Sequence, residues 1–297
     1  MTGLLSAPER RHAVRADIVA LRPHQWTKNL LVFAGVLFAG RLGDPTRVLE
    51  ALATFASYCM LSSAGYLVND VRDVAADRLH PVKRFRPIAQ GDVSPQRALW
   101  AAGILAIAGI GLQAALGPEA LAFAVAFAIG QVAYTLWVKR MYLVDTFAIA
   151  GLFVLRAAGG AAAVDVRISS WLLVCTALLA MFLAFGKRRA ELLSVADPRG
   201  AGRVVLRRYS LAGLDRLVFA TAAGACVAYA VYAFRASESV EMVASVPFVL
   251  FGLARYLYLM RRQDLGEEPD RVFYTDIPIL LAVVLWAAVA STALNAA

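Results

Sequence analysis

The sequence predicts an all-α membrane protein: a bundle of nine transmembrane helices forming a single domain over residues 1–297. Three observations predict it. First, 60% of the residues are hydrophobic and mean hydropathy is +0.64, where soluble domains hold about 45–50% apolar residues. That excess is more than a core absorbs and suits helix faces turned to lipid. Second, charged residues make up only 17% of the chain, and they are clustered. Third, the apolar stretches between clusters recur at about the 20 residues a helix needs to cross the hydrocarbon. Backbone groups in lipid must be paired within the segment, which makes these stretches helices.

In chain order the spans fall at about 18–40, 48–68, 97–116, 119–138, 142–163, 169–186, 212–234, 242–260 and 277–295. The N-terminus is polar and basic up to Arg22 and shows no pattern of a cleavable signal. Gly103, Gly109, Gly111 and the run Gly159, Gly160, Ala161, Ala162, Ala163 are read as packing residues, because small side chains let helices approach closely. Cys59, Cys175 and Cys226 lie inside apolar segments without CxxC spacing, and so read as packing residues too. Gln263 to Asp270 reads as a solvated acidic loop. Asp276, just before the last span, reads as a helix N-cap.

Orientation follows from Lys and Arg. The N-terminal segment and every second connection hold most of them: Arg10, Arg11, Arg15 and Arg22; Arg72, Arg78, Lys83, Arg84 and Arg86; Lys139 and Arg140; Lys187 through Arg208; Arg261, Arg262 and Arg271. The other side has Arg41, Arg47, Arg167 and Arg235, beside acids such as Asp44, Asp165, Glu238 and Glu241. Basic loops stay in the cytoplasm, so the N-terminus is expected inside and the C-terminus on the periplasmic side of a bacterial inner membrane. The two longest connections, about 69–96 and 187–211, then both face the cytoplasm, and loops that long are usually functional. The net charge of +9 is thereby assigned to loops rather than to nucleic-acid binding. Nothing in the sequence opposes a homo-oligomer.

The most informative stretch is Asn69-Asp70-Val71-Arg72-Asp73-Val74-Ala75-Ala76-Asp77. On a helix, Asn69, Asp73 and Asp77 fall at i, i+4 and i+8, with Asp70 on the same side. Like charges this close repel, and a site near lipid raises the cost. A cation is therefore expected among them. Oxygen ligands at this spacing suit Mg²⁺, which takes one or two carboxylates together with water and substrate phosphates. The competing reading is a solvated helix end with i,i+4 pairs to Arg72 and Arg78.

These residues resemble the NDxxDxxxD signature of the UbiA superfamily of intramembrane prenyltransferases. The segment Lys83-Arg84-Phe85-Arg86-Pro87-Ile88-Ala89-Gln90-Gly91 is similar to the basic stretch that follows it in that family. The resemblance implies a helical bundle around a central cavity that opens toward lipid, with a magnesium-bound diphosphate at its cytoplasmic end. It implies Asn69, Asp70, Asp73 and Asp77 as metal ligands and Lys83 and Arg84 as phosphate contacts.

The chain departs from most of the family after the sixth span. There a second aspartate-rich motif is expected, and Phe185-Gly186-Lys187-Arg188-Arg189-Ala190-Glu191 stands instead. Cations there suit direct contact with phosphate oxygens, bidentate from Arg and point-like from Lys. Lys28, near the start of the first span, and Arg156, inside the fifth, are two further candidates, because a charge within a span usually faces a functional cavity. The segments Arg22–Asn29, Phe153–Ala157 and Lys187–Leu192 resemble the decaprenyl-phosphate phosphoribosyltransferase branch of the superfamily. That resemblance implies phosphoribosyl pyrophosphate as a soluble donor and a polyprenyl phosphate as a lipid acceptor. Asp73 and Asp77 would then hold the metal at the leaving pyrophosphate. Lys28, Arg156, Lys187 and Arg188 would hold the remaining phosphates, and Tyr134 and Glu191 the ribose hydroxyls. An ionised phosphate needs no strong general base, and His80 is read as a loop residue. Two rivals remain. An ordinary prenyltransferase acting on an aromatic acceptor calls for the missing second acidic motif. A transporter calls for charges near the midplane of several spans.

Overall fold

The computed structural model describes residues 7–167, 169–194, 206, 208–236, 240–262, 272 and 275–296. The expected loop at 263–270, Arg199, Arg203, Arg207 and Arg271 lie outside the described residues. Among those described the chain is helical, with no strand. Eight of its helices are long and apolar enough to cross a membrane, where nine spans were expected.

The difference lies in the first span. Helix α1 (Ala7–Leu21) ends at Arg22, whose φ of 55° is left-handed and breaks the helix. A 3-10 helix follows over Pro23–Phe33, and then the short α2 (Ala34–Phe38). Pro23 accounts for the break, because it disfavours α-helical geometry at the residue before it. The predicted span 18–40 is thus a broken segment.

The other predicted spans are continuous. Helix α3 (Pro45–Leu79) opens on Asp44, whose carboxylate accepts from the Thr46 amide at 2.9 Å. Its 35 residues reach about 52 Å at 1.5 Å each, well beyond a hydrocarbon core of about 30 Å. Residues 69–79, expected within a loop, are therefore the last turns of this helix. They stay helical because Val71 and Val74 still pack beside Ile88 and Leu67. A 3-10 turn (Lys83–Phe85) and the one-turn α4 (Pro87–Gln90) then fold back against α3.

Helices α5 (Pro95–Leu116), α6 (Pro118–Leu136) and α7 (Val144–Ala163) come next. Pro at the first helical position recurs at Pro45, Pro95 and Pro118, where its missing N–H has no helical partner to lose. Helix α8 (Ser170–Ser194) runs past its predicted end, so Lys187 to Glu191 are helical rather than part of a loop. Helices α9 (Leu211–Val231), α10 (Val246–Arg262) and α11 (Ile277–Ala296) complete the chain. Asp276 caps α11 as expected, accepting from the Ile279 amide at 3.0 Å.

Small residues decide how the broken first segment is seated. A Cβ on Gly160 of α7 would lie 2.1 Å from the Val32 carbonyl oxygen, and one on Gly35 would lie 2.6 Å from the Ala161 Cα. The 3-10 helix and α2 thus lie directly on the Gly-Ala face of α7. Side chains from α8, α9, α10 and α11 form a separate core around Phe182, Leu214 and Tyr256. Outward faces keep Trp100, Ile104, Ile107, Ile129 and Phe219 exposed, as lipid-facing positions require.

Candidate active site

The acidic residues lie on the last turns of α3, and the structure divides them in two. A helix advances about 100° per residue, so Asn69 and Asp73 sit about 40° apart and Asp70 and Asp77 about 20° apart. Each pair meets its own cation. Lys139, on the 3-10 turn between α6 and α7 (Val138–Arg140), donates from Nζ to Asn69 Oδ1 at 3.1 Å and to both Asp73 oxygens at 2.8 and 2.7 Å. Arg86 Nη1 bridges Asp70 Oδ1 at 3.0 Å and Asp77 Oδ2 at 2.6 Å. Arg22, at the break after α1, grips both oxygens of Asp70 at 2.6 and 2.8 Å.

The four residues share one helix side, as the spacing predicted, yet they do not converge on one point. Among the described residues no group of three or more His, Cys, Asp and Glu side chains is placed to hold a metal. The donors nevertheless fit magnesium in kind: each pair offers oxygens of a carboxylate or amide and already closes around one positive group. The competing reading of a helix end held by i,i+4 pairs fails, because Arg72 donates instead to the Thr135 carbonyl at 3.0 Å and Arg78 to that of Ala89 at 3.1 Å.

In the basic run after α3, Arg86 is the residue seen on the carboxylates. Arg84 is exposed, with its guanidinium 4.8 Å from the Phe85 ring centre. Lys83 is half-buried on the same turn. His80 is a loop residue, as read: its Nδ1 accepts from the amides of Val82 and Lys83.

The basic segment of α8 forms a second cluster. Arg188 is 2% exposed and donates from Nε to Asp145 Oδ2 at 2.9 Å, while Asp145 is fully buried. Arg188 Nη1 meets Glu191 Oε2 at 2.5 Å, and Nη2 meets Tyr134 Oη at 3.4 Å. Tyr209 donates to Asp145 Oδ1 at 3.2 Å and accepts from the Leu143 amide. Burial pushes the Tyr209 phenol above its ordinary value, with the neighbouring Asp145 charge adding to the effect. Tyr134, Arg188 and Glu191, selected separately from the sequence, are thus one cluster, completed by an acid that was not selected. Lys187 precedes Arg188 on the same helix.

Arg156 lies in a third cluster. Its Nε donates to Asn29 Oδ1 at 2.7 Å and its Nη1 to the Leu152 carbonyl at 3.1 Å, and its guanidinium lies 4.4 Å from the Phe127 ring centre. Asn29 also donates to Cys59 Sγ at 3.3 Å. Lys28, its neighbour in the chain, hydrogen-bonds Gln25 Oε1.

Sequence reasoning passed over Arg22, Asn29, Lys139 and Asp145 as site residues. Arg22, Lys139 and Asp145 reach their partners across 48, 66 and 43 residues, distances with no local pattern to read. Asn29 ends the segment Arg22–Asn29, and a polar amide at the head of the apolar run from Leu30 was the available signal.

A decaprenyl-phosphate phosphoribosyltransferase of Mycolicibacterium smegmatis is 34% identical over 93% of this chain and 91% of its own length. One of Corynebacterium glutamicum is 36% identical over 91% of this chain and 83% of its own. Among solved structures, a UbiA homolog from Archaeoglobus fulgidus bound to GPP and Mg²⁺ superposes with a TM-score of 0.74 over 95% of this chain and all of that one, at 18% identity. That likeness establishes the fold. The model of the UbiA prenyltransferase family matches residues 29–277, and with relatives this similar along most of their length the chain belongs to that family.

Proposed function

We propose that this protein transfers 5-phosphoribose from phosphoribosyl pyrophosphate to a polyprenyl phosphate such as decaprenyl phosphate, releasing pyrophosphate for the synthesis of an arabinose-donor lipid. The observation that carries the reading is its similarity, along nearly the whole length, to decaprenyl-phosphate phosphoribosyltransferases of two organisms. The site is compatible with it. Where a second acidic motif would bind a second metal, α8 instead presents Lys187, Arg188 and Arg189, and the acids beside Arg188 are already engaged by it.

Asn69, Asp70, Asp73 and Asp77 would hold Mg²⁺, which supplies charge neutralisation at the leaving pyrophosphate. Asn69 and Asp73 already close on one cation. Lys83 and Arg84 lie on the connection beside them and would take pyrophosphate oxygens. Lys28, Arg156, Lys187 and Arg188 would bind the 5-phosphate and the acceptor phosphate, and Tyr134 and Glu191 the ribose hydroxyls. The acceptor oxygen is ionised at neutral pH, so its attack on ribose C1 requires no protein base.

The same reading treats the chain as a single inner-membrane domain with its N-terminus and site in the cytoplasm and its C-terminus outside. The broken first segment would supply the ninth crossing. Eleven 3-10 residues at about 2.0 Å and five α-helical residues at about 1.5 Å rise about 30 Å together, enough for the hydrocarbon.

The test is transfer of labelled phosphoribose to polyprenyl phosphate by purified protein in lipid with Mg²⁺. A parallel reaction offers a prenyl diphosphate and an aromatic acceptor. Product in the first alone is expected; product in the second alone overturns the proposal.

A further inference from the structure

Lys139 was not among the residues that the sequence marked, yet its ammonium lies on three oxygens of Asn69 and Asp73. These are oxygens that a divalent ion would take. Three features set this pair apart from its neighbour. First, Asp70 is 4% exposed and held by two guanidinium groups, one of which reaches both its oxygens from a single nitrogen, whereas Asp73 is 30% exposed and faces a single ammonium. Second, Lys is a point charge on a flexible four-carbon stem, without the pre-organised planar fork of Arg, so the ammonium can swing off the carboxylate although Lys139 is only 11% exposed where it stands. Third, Lys139 stands on a three-residue 3-10 turn between α6 and α7, with Leu143 at a positive φ of 63° before α7, and so not within either long helix.

We infer that Lys139 is a built-in counter-cation: its ammonium occupies the Asn69–Asp73 end of the acidic cluster while no divalent ion is bound, and a divalent ion must displace it to bind. The inference rests on the reading of this cluster as a metal site. Two consequences follow. Without Lys139 the two oxygen donors lose their internal competitor, so the metal should bind more tightly, not less. In the wild type, metal binding should free the Lys139 amine.

Both can be measured without turnover. Binding of Mn²⁺, as a magnesium probe, is followed by electron paramagnetic resonance on detergent-purified full-length protein in the absence of substrate. Lys139→Gln is expected to bind Mn²⁺ at least about tenfold more tightly, since a unit charge within contact distance is removed. Lys139→Arg, which retains the charge, is expected to bind no more tightly than wild type. A lysine with a merely structural role would give weaker metal binding on removal.

The second measurement uses wild type and does not depend on a variant that folds. Acetylation of Lys139 by acetic anhydride, read by mass spectrometry, is expected to rise several-fold when Mn²⁺ is added. Unchanged labelling overturns the inference, as does equal or weaker Mn²⁺ binding by Lys139→Gln, or no Mn²⁺ binding by either protein. The transfer reading fails on a different result, absence of phosphoribosyl product from wild type in excess Mg²⁺, which leaves the metal comparison intact.

Discussion

Replacing Asp145 by alanine tests the buried ion pair that ties α7 to α8. Arg188 Nε lies 2.9 Å from Asp145 Oδ2, and the two side chains are 2% and 0% exposed. Removing one member of such a pair costs about 3–5 kcal/mol, because the partner stays buried without its counter-charge. Glu191 still faces the guanidinium at 2.5 Å, so the lower end applies. The Tyr209 hydroxyl also loses its acceptor at 3.2 Å, adding about 1 kcal/mol. The sum, about 4 kcal/mol, corresponds to roughly 8 °C at the lower end of the usual conversion. The assay is the fraction of detergent-solubilised protein that stays monodisperse after heating, followed by size-exclusion chromatography. Removing both charges together, as Asp145→Leu with Arg188→Met, should restore most of that loss, since an apolar pair of similar volume is tolerated. The double variant should still fail to transfer phosphoribose. Asp145→Ala unfolding within 1–2 °C of wild type, or a double variant as unstable as the single one, would refute the reasoning.

Gly160→Ala should yield little monodisperse protein, because its Cβ would meet backbone atoms of Val32 at 2.1 and 2.6 Å. Gly103→Ala, with open space around it, should purify like wild type. Asp73→Asn should lower kcat/KM of Mg²⁺-supported transfer on the order of 100-fold, about 2.7 kcal/mol; activity equal to wild type rules out that role. Asp276 pairs with Arg255 at 3.0 Å, and the hydrogen bond from Arg255 holds its carboxyl below the usual 3.8. Its contribution to stability is therefore present above about pH 4 and lost as pH falls below that value. Asp276→Asn should flatten stability against pH in that acid range, a change visible in thermal melts from pH 6 to pH 3.

The parts legible in the sequence were those with a local period. Eight of the nine predicted spans are helices because apolar runs of the right length leave the backbone no other partner. The spacing of Asn69, Asp73 and Asp77 placed them on one helix side. The end of α3 was misjudged because charge marks where lipid stops, and the helix continues for as long as Val71 and Val74 have something to pack against. Pro23 signalled the break at Arg22 locally, but the apolar run that follows it read as one span. Long-range ion pairs carried no such signal: nothing near Asp73 in the chain points to Lys139, and nothing near Arg188 points to Asp145.

On the proposed reading, the charges on α3 also explain how the cluster stays folded before a polyanion is bound. Asp70, Asp73 and Asp77 meet Arg22, Arg86 and Lys139, three carboxylates with three cations, so the cluster carries no large field of its own. Its two halves differ in how firmly they hold. Arg22 anchors the start of the broken first segment to α3 through Nη2, which meets both oxygens of a buried acid, and that half is part of the fold. Guanidinium–carboxylate pairs of this kind are costly to open, since the carboxylate of Asp70, 4% exposed, would be left buried and alone. In the other half the carboxylate of Asp73 is 30% exposed, although Lys139 is only 11% exposed, and this half costs less to open because water can take over at the carboxylate. On the same reading, Asn69 and Asp73 would be the first of the four ligands to meet Mg²⁺, which would supply charge neutralisation at the diphosphate. Lys139 would then be released to phosphate oxygens, while Arg22 and Arg86 keep N–H donors to spare at Asp70. A site built in this way gains a ligand without losing the contacts that position it.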